Sequence, residues 1–215
     1  MRRTIVATAI AGAGMFAAAA TAGSTIHFSD FEADDGGWVR DAGDWQWDAN
    51  YDSSNYVGAY VPPASAYSGT GMWGTLMYDD YNNANAFSTL SQTFDLSGVT
   101  DTTLSFASWS NVFGSFDYNQ VVVNGDIVAS TNAADAPYTQ TNETGTSGAE
   151  WVVESIDLSA YDGLDTVTIE FRMWATTVVN RPGWYLDDIS ITAVPAPGAL
   201  ALLGLAGLAG RRRRA

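Results

Sequence analysis

Apolar and polar residues alternate with a period of two along most of this chain, and no long stretch repeats its apolar residues with the period of an α-helix. In DTVTIEFRMW (165–174), Val167, Ile169, Phe171 and Met173 fall on one face, with polar residues on the other. Such alternation is typical of strands with one face buried. Further strands are predicted at 25–31, 44–48, 70–77, 87–94, 102–110, 150–157 and 184–192.

The segment YNQVVVNGDIVAS (118–130) predicts a β-hairpin, because Asn124-Gly125 suits the two positive-φ positions of a type I′ turn. Together, about ten short strands joined by turns rich in Gly, Asn, Asp and Ser predict an all-β protein. The expected fold is an antiparallel β-sandwich of jelly-roll type, followed by a short C-terminal hydrophobic tail. The chain has no cysteine, so this domain is expected to stand on its hydrophobic core without disulfides.

Both ends of the chain have the composition of targeting segments. At the N-terminus, Arg2 and Arg3 precede an apolar stretch that ends in Ala20-Thr21-Ala22, a pattern typical of a cleaved signal peptide over 1–22. A retained membrane helix is the alternative, which the Ala/Gly-rich composition and the polar sequence that follows disfavour. The sandwich is then expected over 23–193.

The last 22 residues (194–215) have the order Val-Pro-Ala-Pro, apolar run, arginine cluster. Pro195 and Pro197 mark the boundary of the run, and Arg211, Arg212, Arg213 and Arg214 close it. A terminal arginine block stays on the cytoplasmic side while the body is exported. The uninterrupted apolar run, 198–210, is short for a helix that spans the membrane. A sorting signal that inserts transiently in the membrane is therefore favoured over a permanent anchor.

The charge of the predicted domain is strongly negative. All 24 acidic residues lie between Asp30 and Asp188, where only Arg40, Arg172 and Arg181 oppose them, which leaves a net charge of −21. Such a surface disfavours nucleic acid and anionic lipid as partners and attracts divalent cations. A solvated surface adapted to salty surroundings is an equally simple explanation of most carboxylates.

Several motifs resemble, in order, those of jelly-roll modules known as cleaved-adhesin or choice-of-anchor domains. They are FSDFEADDGGW (28–38), GDWQWD (43–48), SGTGMWGT (68–75), FDLSGVTDTTLSFASW (94–109), IDLSAYDG (156–163) and WYLDDI (184–189). The resemblance implies a jelly-roll fold, extracellular display, frequent calcium stabilisation and a role in adhesion or in contact with carbohydrate and matrix. It does not imply catalysis. The tail resembles the PEP-CTERM sorting signal, with Ala196 where that motif normally has Glu. This second resemblance implies an exosortase-type processing enzyme.

Carboxylates near the first and last predicted strands are candidate calcium ligands, because calcium takes six to eight oxygen ligands. The candidates are Glu32 and Asp41 near the first strand and Asp187 and Asp188 near the last. Alternation places Asp187 and Asp188 on opposite faces, so at most one is expected to enter a given site. The resemblance implies that one of this pair is a ligand, with Glu32 as its partner. Alternatively, these carboxylates stabilise turns.

Aromatic residues concentrate between Trp38 and Tyr81, interleaved with small polar residues that suit a carbohydrate-binding surface. Trp45 and Trp47 alternate around Gln46, so both are predicted to face the core. Trp38, Trp73 and Trp184 lie inside the motifs that resemble those of the jelly-roll modules, and this resemblance implies that they are core residues as well. The loop residues Tyr51, Tyr56, Tyr60 and Tyr81 are the candidates for ligand contact, with ordinary packing as the alternative.

No catalytic residue is predicted. His27 is the only histidine and cysteine is absent, which disfavours a histidine-based triad and excludes the usual zinc sites. The sequence therefore favours a non-enzymatic protein of the cell envelope surface or extracellular matrix, which binds or organises polysaccharide or surface proteins with the help of calcium. The alternative is a small secreted carbohydrate-active hydrolase, since a glycosidase needs only two carboxylates.

Overall fold

The fold is seen in a computed structural model that describes residues 23–114, 116–135 and 150–196. The predicted signal peptide (1–22) lies outside the described residues. So do Pro197 and Arg211 to Arg214 of the predicted sorting signal.

The described residues form eleven β-strands and two single-turn 3₁₀ helices, Ser53–Asn55 and Ser159–Tyr161. The strands are β1 (Ser24–Ser29), β2 (Val39–Arg40), β3 (Trp45–Asp48), β4 (Met72–Thr75), β5 (Ala86–Phe94), β6 (Val99–Asn111), β7 (Tyr118–Val123), β8 (Asp126–Ser130), β9 (Val152–Asp157), β10 (Val167–Ala175) and β11 (Gly183–Pro195). Each strand predicted from alternation is present, with bounds shifted by a few residues. The two-residue strand β2 was not predicted, because it is too short to show alternation.

The strands form two antiparallel sheets that face each other. The first sheet has the order β3-β4-β11-β6-β9, with β1 also paired to β11, and the second has the order β2-β5-β10-β7-β8. Most connections carry the chain from one sheet to the other, and the first and last strands are neighbours. This arrangement confirms the predicted antiparallel β-sandwich of jelly-roll type.

The core fills the space between the sheets. The inward residues of β10, which are Val167, Ile169, Phe171 and Met173, have no exposed surface. The tryptophans predicted as core, Trp38, Trp45, Trp73 and Trp184, are all buried. Fully burying one large apolar side chain contributes roughly 1.5–3 kcal/mol, so these buried residues together contribute much of the stability of the sandwich.

A second apolar cluster, called here the outer cluster, lies on the outer face of the first sheet. Its buried members are Tyr51, Ala66, Met72, Met77, Trp109 and Tyr185. Tyr185 and Trp109 project from β11 and β6, and their ring centroids are 5.4 Å apart. The long connection between β3 and β4 supplies Tyr51 and Ala66, so this connection packs over the sheet instead of extending into solvent.

Two local predictions can be compared directly with the backbone. Asn124 and Gly125 both have positive φ angles, 50° and 91°, as a type I′ turn between β7 and β8 requires. Strand β11 continues to Pro195, which pairs with Val99, so the sandwich extends beyond the boundary predicted at residue 193. In the part of the chain that the structure describes, no helix is long and apolar enough to cross a membrane.

Candidate metal centre and ligand-binding cleft

A β-bulge in β11 allows the side chains of both Asp187 and Asp188 to contact the same residue, Ser68. Asp188 has a φ of 47°, and the pairing register with β6 shifts between Asp187 and Ser190. The backbone amide of Ser68 donates to Asp187 Oδ2 (3.0 Å), and the Ser68 hydroxyl donates to Asp188 Oδ1 (2.9 Å). The expectation that only one of the two carboxylates can enter a site is therefore wrong, because the extra residue of the bulge interrupts the alternation.

Asp187 is a carboxylate with no exposed surface. Burial raises its pKa to about 7, although hydrogen bonds from the amides of Ser68 and Asp188 act in the opposite direction. The arginines of the described residues contact other groups. Arg40 donates to the Trp45 carbonyl, Arg172 pairs with Glu170, and Arg181 lies over the Tyr60 ring. A bound cation would thus stabilise the charged form of Asp187.

Glu32 holds the other end of the loop that Asp187 and Asp188 contact. Its Oε1 accepts hydrogen bonds from the amides of Thr70 (2.8 Å) and Gly71 (2.7 Å). These bonds, first of all the one from Gly71, lower the pKa of the exposed Glu32 carboxylate. Carboxylates from the two ends of the domain therefore fasten one loop, Ser68 to Gly71, which we call the acidic-clamped loop.

Side chains alone do not complete a metal site at this loop. Among the described residues, no three His, Asp or Glu side chains converge closely enough to hold an ion. Calcium accepts backbone carbonyls as well as carboxylates, so the donor chemistry of the loop suits it.

Asp41 lies in the turn after β2, where its carboxylate accepts a hydrogen bond from the Gly43 amide (2.7 Å). Its own amide donates to the Thr89 carbonyl of β5 (3.0 Å). These contacts fix Asp41 beside the second sheet, whereas the acidic-clamped loop lies against the first.

Two of the four tyrosines predicted to contact a ligand are buried. Tyr51 is 7% exposed and donates to the Pro63 carbonyl (2.8 Å), and Tyr81, with no exposed surface, donates to Asp117. The expectation that Tyr51 and Tyr81 are surface residues is wrong, because both hydroxyls have partners inside the protein.

The other two tyrosines remain nearer the surface. Tyr56 is half-buried and donates to Asp80 Oδ1 (2.5 Å). Tyr60 is 40% exposed, and the guanidinium carbon of Arg181 lies 3.8 Å from the centroid of its ring. One face of Tyr60 is therefore covered by Arg181.

A cleft of about 380 Å³, called here the edge cleft, opens where β2 and β3 form the same edge of the two sheets. Its walls are Asp35, Arg40, Gln46, Trp47, Asp48, Trp73, Met77 and Tyr78. Trp47 and Tyr78 are half-buried, so each presents part of its ring to the cleft. Arg40 and Asp35 are exposed beside them.

The edge cleft was missed by sequence reasoning because WQWD alternates like a core strand. Trp47 does pack against the core, but β3 is the last strand of its sheet, so part of the ring stays accessible. The polar residues Gln46 and Asp48 on either side of Trp47 were the available signal. Asp48 also orients Tyr78, whose hydroxyl donates to its Oδ2 (2.7 Å), and burial together with this bond raises the pKa of Tyr78 to about 12.

The edge cleft and the acidic-clamped loop share one turn of the chain. The indole N–H of Trp47 donates to the carbonyl of Phe31 (3.0 Å), the residue before Glu32. Phe31 has a φ of 61°, and a Cβ placed on Gly71 would lie 2.2 Å from its carbonyl oxygen. The acidic-clamped loop and the Phe31-Glu32 turn are thus in close backbone contact. The same turn positions Trp47 by accepting its indole hydrogen bond.

Comparison with known proteins identifies no family model and no curated protein that matches this chain. Solved structures do match. The K2 cleaved adhesin domain of Lys-gingipain is 18% identical, with 79% of this chain and 99% of that chain covered and a TM-score of 0.47. A Stig cyclase from Fischerella sp. TAU is 14% identical (81% and 100% covered, TM-score 0.48), and TmCBM61 in complex with β-1,4-galactotriose is 15% identical (72% and 87% covered, TM-score 0.42). Similarity at this level assigns neither a family nor an activity to the chain.

Proposed function

We propose that this protein is an exported, non-enzymatic module that binds neutral polysaccharide in the edge cleft and is assisted by calcium at the acidic-clamped loop. The observation that supports this most is the composition of the cleft, where partly exposed rings of Trp47 and Tyr78 stand beside Asp35, Arg40 and Gln46. Aromatic faces stack on the C–H faces of sugars, while carboxylate, guanidinium and amide groups hydrogen-bond to hydroxyls.

The charge of the domain selects among polysaccharides. With 24 acidic residues and three arginines between Asp30 and Asp188, the body repels polyanions at moderate ionic strength. Among the described residues, Arg40 is the single cation in the wall of the edge cleft, and Asp35 and Asp48 share that wall. A neutral glycan avoids this repulsion and still offers hydroxyls to all three groups.

Asp187 and Asp188 are the side chains that would hold calcium, together with carbonyl oxygens of the chain around Ser68. Glu32 would support the site from the other end of the loop, where it accepts hydrogen bonds from the amides of Thr70 and Gly71. Bound calcium would neutralise the buried Asp187 and its neighbour Asp188. Because the acidic-clamped loop contacts the Phe31-Glu32 turn, which accepts the Trp47 indole hydrogen bond, fixing the loop also fixes the wall of the edge cleft. Asp41 makes its contacts in another turn and is not part of this set.

The place of action follows from the two targeting segments of the sequence. The signal peptide over 1–22 directs export, and the C-terminal signal is processed by an exosortase-type enzyme after transient insertion in the membrane. The mature module then acts at the cell envelope surface or in the extracellular matrix.

The proposal is tested by retention of the purified protein on immobilised xylan, β-glucan and galactan, with alginate as the anionic comparison. We expect retention on at least one neutral polysaccharide in calcium, weaker retention in chelator, and no release of reducing sugar. Failure to bind any neutral polysaccharide contradicts the proposal. Release of reducing sugar contradicts it as well and favours the small carbohydrate-active hydrolase.

A further inference from the structure

A second cavity opens between the sheets at the end opposite the edge cleft. It has a volume of about 480 Å³ and lies between β8 and β9, the last strands of the second and first sheets. This inter-sheet cavity is separated from the edge cleft by the width of the sandwich, and no part of the proposed polysaccharide site lies in it. Its volume is in the range of small-molecule sites, about 300–1,000 Å³.

The inward faces of three strands change from apolar to polar at this cavity. On β6, the inward residues Leu104 and Phe106 are followed by Ser108. On β7, the inward residues Val123 and Val121 are followed, toward the N-terminus, by Asn119. On β9, Ile156 is followed, also toward the N-terminus, by Glu154. A sandwich that served only packing would keep apolar residues at these inward positions. Ser108 accepts the indole N–H of Trp184 (2.9 Å) and so serves the core, which leaves Asn119 and Glu154 as the inward polar residues of this set that bear on a ligand.

Asn119 carries a hydrogen-bond acceptor that the described residues leave without a partner. Its side chain is 4% exposed, and its Nδ2 donates to Ser110 Oγ (2.8 Å). Its Oδ1 is buried and accepts no hydrogen bond from the described part of the chain. Buried acceptors are nearly always satisfied in native proteins, so a ligand that donates an N–H at this point fits the site.

The remaining wall combines aromatic rings with negative charge. Phe106, Tyr161 and Trp184 line the cavity, as do the carboxylates of Glu154 and Asp157, and no arginine is among the wall residues that the structure describes. Aromatic faces and carboxylates both favour a cation, and the same carboxylates repel an anion.

We infer that the inter-sheet cavity is a binding site for a small protonated aromatic amine. The ring of the ligand packs against Phe106 and Trp184, its ammonium group donates to Asn119 Oδ1, and Glu154 balances its charge. This inference goes beyond polysaccharide binding, because the occupant, the residues and the end of the sandwich are all different.

The test is calorimetric titration of the full chain with 2-phenylethylamine at moderate salt, which screens non-specific attraction to the acidic surface. The comparison ligands are 3-phenylpropionate, which keeps the ring and reverses the charge, and ethanolamine, which keeps the ammonium and lacks the ring. We expect saturable binding of 2-phenylethylamine, at least tenfold tighter than that of either comparison ligand. No binding, or equal binding of ethanolamine, overturns the inference.

Variants locate the site within the protein. Glu154→Gln preserves shape and is expected to weaken binding at least tenfold. Asn119→Asp is also isosteric, and since the Ser110 hydroxyl can donate to the new carboxylate, it is expected to bind the amine at least as tightly as the parent. Trp47→Ala, in the edge cleft, is expected to leave amine binding unchanged, so that failure of this inference is distinguishable from failure of the polysaccharide proposal. Equal weakening by Glu154→Gln and Asn119→Asp, or no effect of Glu154→Gln, contradicts the assignment.

Discussion

At the scale of single residues, Asp187 is the most informative side chain. It has no exposed surface, its neighbour is Asp188, and burial raises its pKa to about 7. A buried carboxylate without a compensating cation opposes folding when it is charged, and a bound divalent ion reverses that effect. The effect of a bound divalent ion on the stability of the protein can therefore be measured.

We predict that calcium raises the melting temperature of the parent protein and that Asp187→Asn removes this effect. Saturation at about 100 times Kd corresponds to roughly 2.7 kcal/mol, which is about 5–10 °C for a domain of this size. In chelator, the variant buries no charge but turns its Nδ2 donor toward one of the two amides that donate to Asp187 in the parent, so the readout is the calcium-dependent shift and not the stability in chelator. The measurement is differential scanning calorimetry in calcium, in magnesium and in chelator.

Asp41→Asn is the matched control, since Asp41 makes its contacts in another turn. It should keep the full calcium effect. A magnesium effect as large as that of calcium, or a calcium effect retained in Asp187→Asn, would show that the acidic-clamped loop holds no calcium.

Tyrosine hydroxyls give a prediction about pH. Burial raises the pKa of Tyr51, Tyr56, Tyr81 and Tyr185, and that of Tyr78 to about 12. Because the folded state then binds more protons than the unfolded state above about pH 10, the free energy of unfolding falls as the pH rises past that value. Below it, the contribution of these groups is fully present.

In an alkaline titration followed by tyrosinate absorbance, part of the signal should therefore appear only together with loss of the native circular dichroism. Tyr185→Phe, which removes one hydroxyl of the outer cluster, should reduce the amplitude of this late step. Complete ionisation of all tyrosines while the protein remains folded would contradict the buried placement.

The tyrosines also show which side-chain positions cannot be predicted from local sequence pattern. The core position of Trp45 is predicted correctly, because alternation within one strand defines the face on which a residue lies. The equally correct prediction for Trp184 rests on its place in the motif WYLDDI, which resembles the jelly-roll modules. Tyr51 and Tyr81 were placed on the surface wrongly, because their burial depends on segments distant in sequence. Tyr51 stacks on Tyr78 and contacts Tyr185 in the outer cluster, and no local pattern carries that information.

At the scale of elements, β11 and the acidic-clamped loop depend on each other. The bulge at Asp188 returns Ile189 to the core after Leu186, and both Ile189 and Leu186 are fully buried. The sequence WYLDDI carries no glycine at the positive φ, so the bulge could not be recognised from it. Its position is determined by packing on the partner strands.

Gly71 is predicted to be essential to the fit of this loop. A Cβ on Gly71 would meet the Phe31 carbonyl at 2.2 Å, which the backbone of a neighbouring turn can relieve only by moving. Gly71→Ala should therefore lower the free energy of unfolding by about 1–3 kcal/mol. It should also weaken polysaccharide retention, because the displaced turn holds Trp47.

The matched control is Gly114→Ala, where a Cβ would meet nothing within 4 Å. We expect a change of about 0.5 kcal/mol or less in urea unfolding. If both variants lost the same free energy of unfolding, the cause would be the lost backbone freedom of glycine and not the close approach of Gly71 to Phe31.

At the scale of the whole molecule, the fold class was predictable and the arrangement of the sites was not. Alternation and the Asn124-Gly125 turn indicate a two-layer antiparallel protein without reference to any distant contact. The order of strands within each sheet decides that β2 and β3 form one open edge and that β8 and β9 form the other. Both cavities are products of that order, so neither could be read from local pattern.

The proposed sorting signal belongs to this scale, because it concerns where the module would be delivered. We predict that replacing Arg211 to Arg214 by Gln releases the protein from the cell envelope fraction, since the block proposed to hold the tail on the cytoplasmic side would be lost. Cell fractionation and immunoblotting provide the measurement. If the tail is instead removed by truncation, the deletion should begin at residue 197, because Pro195 belongs to β11 and pairs with Val99 of β6.

Arg172→Gln serves as the control for this experiment, since it changes the charge of the body by one and lies far from the tail in sequence. Its distribution should match that of the parent. Unchanged envelope retention of the four-arginine variant would show that the tail is not a sorting signal.

The central claim is that polysaccharide binds in the edge cleft and that calcium assists from the neighbouring loop. Affinity electrophoresis through a gel containing a retained neutral polysaccharide tests it most directly, with the parent, Trp47→Ala and Tyr60→Ala each run in calcium and in chelator. We expect at least tenfold weaker retardation for Trp47→Ala, parent-like retardation for Tyr60→Ala, and a calcium effect in the parent and in Tyr60→Ala. Retardation that survives Trp47→Ala, or that is the same in calcium and in chelator for the parent, would contradict it.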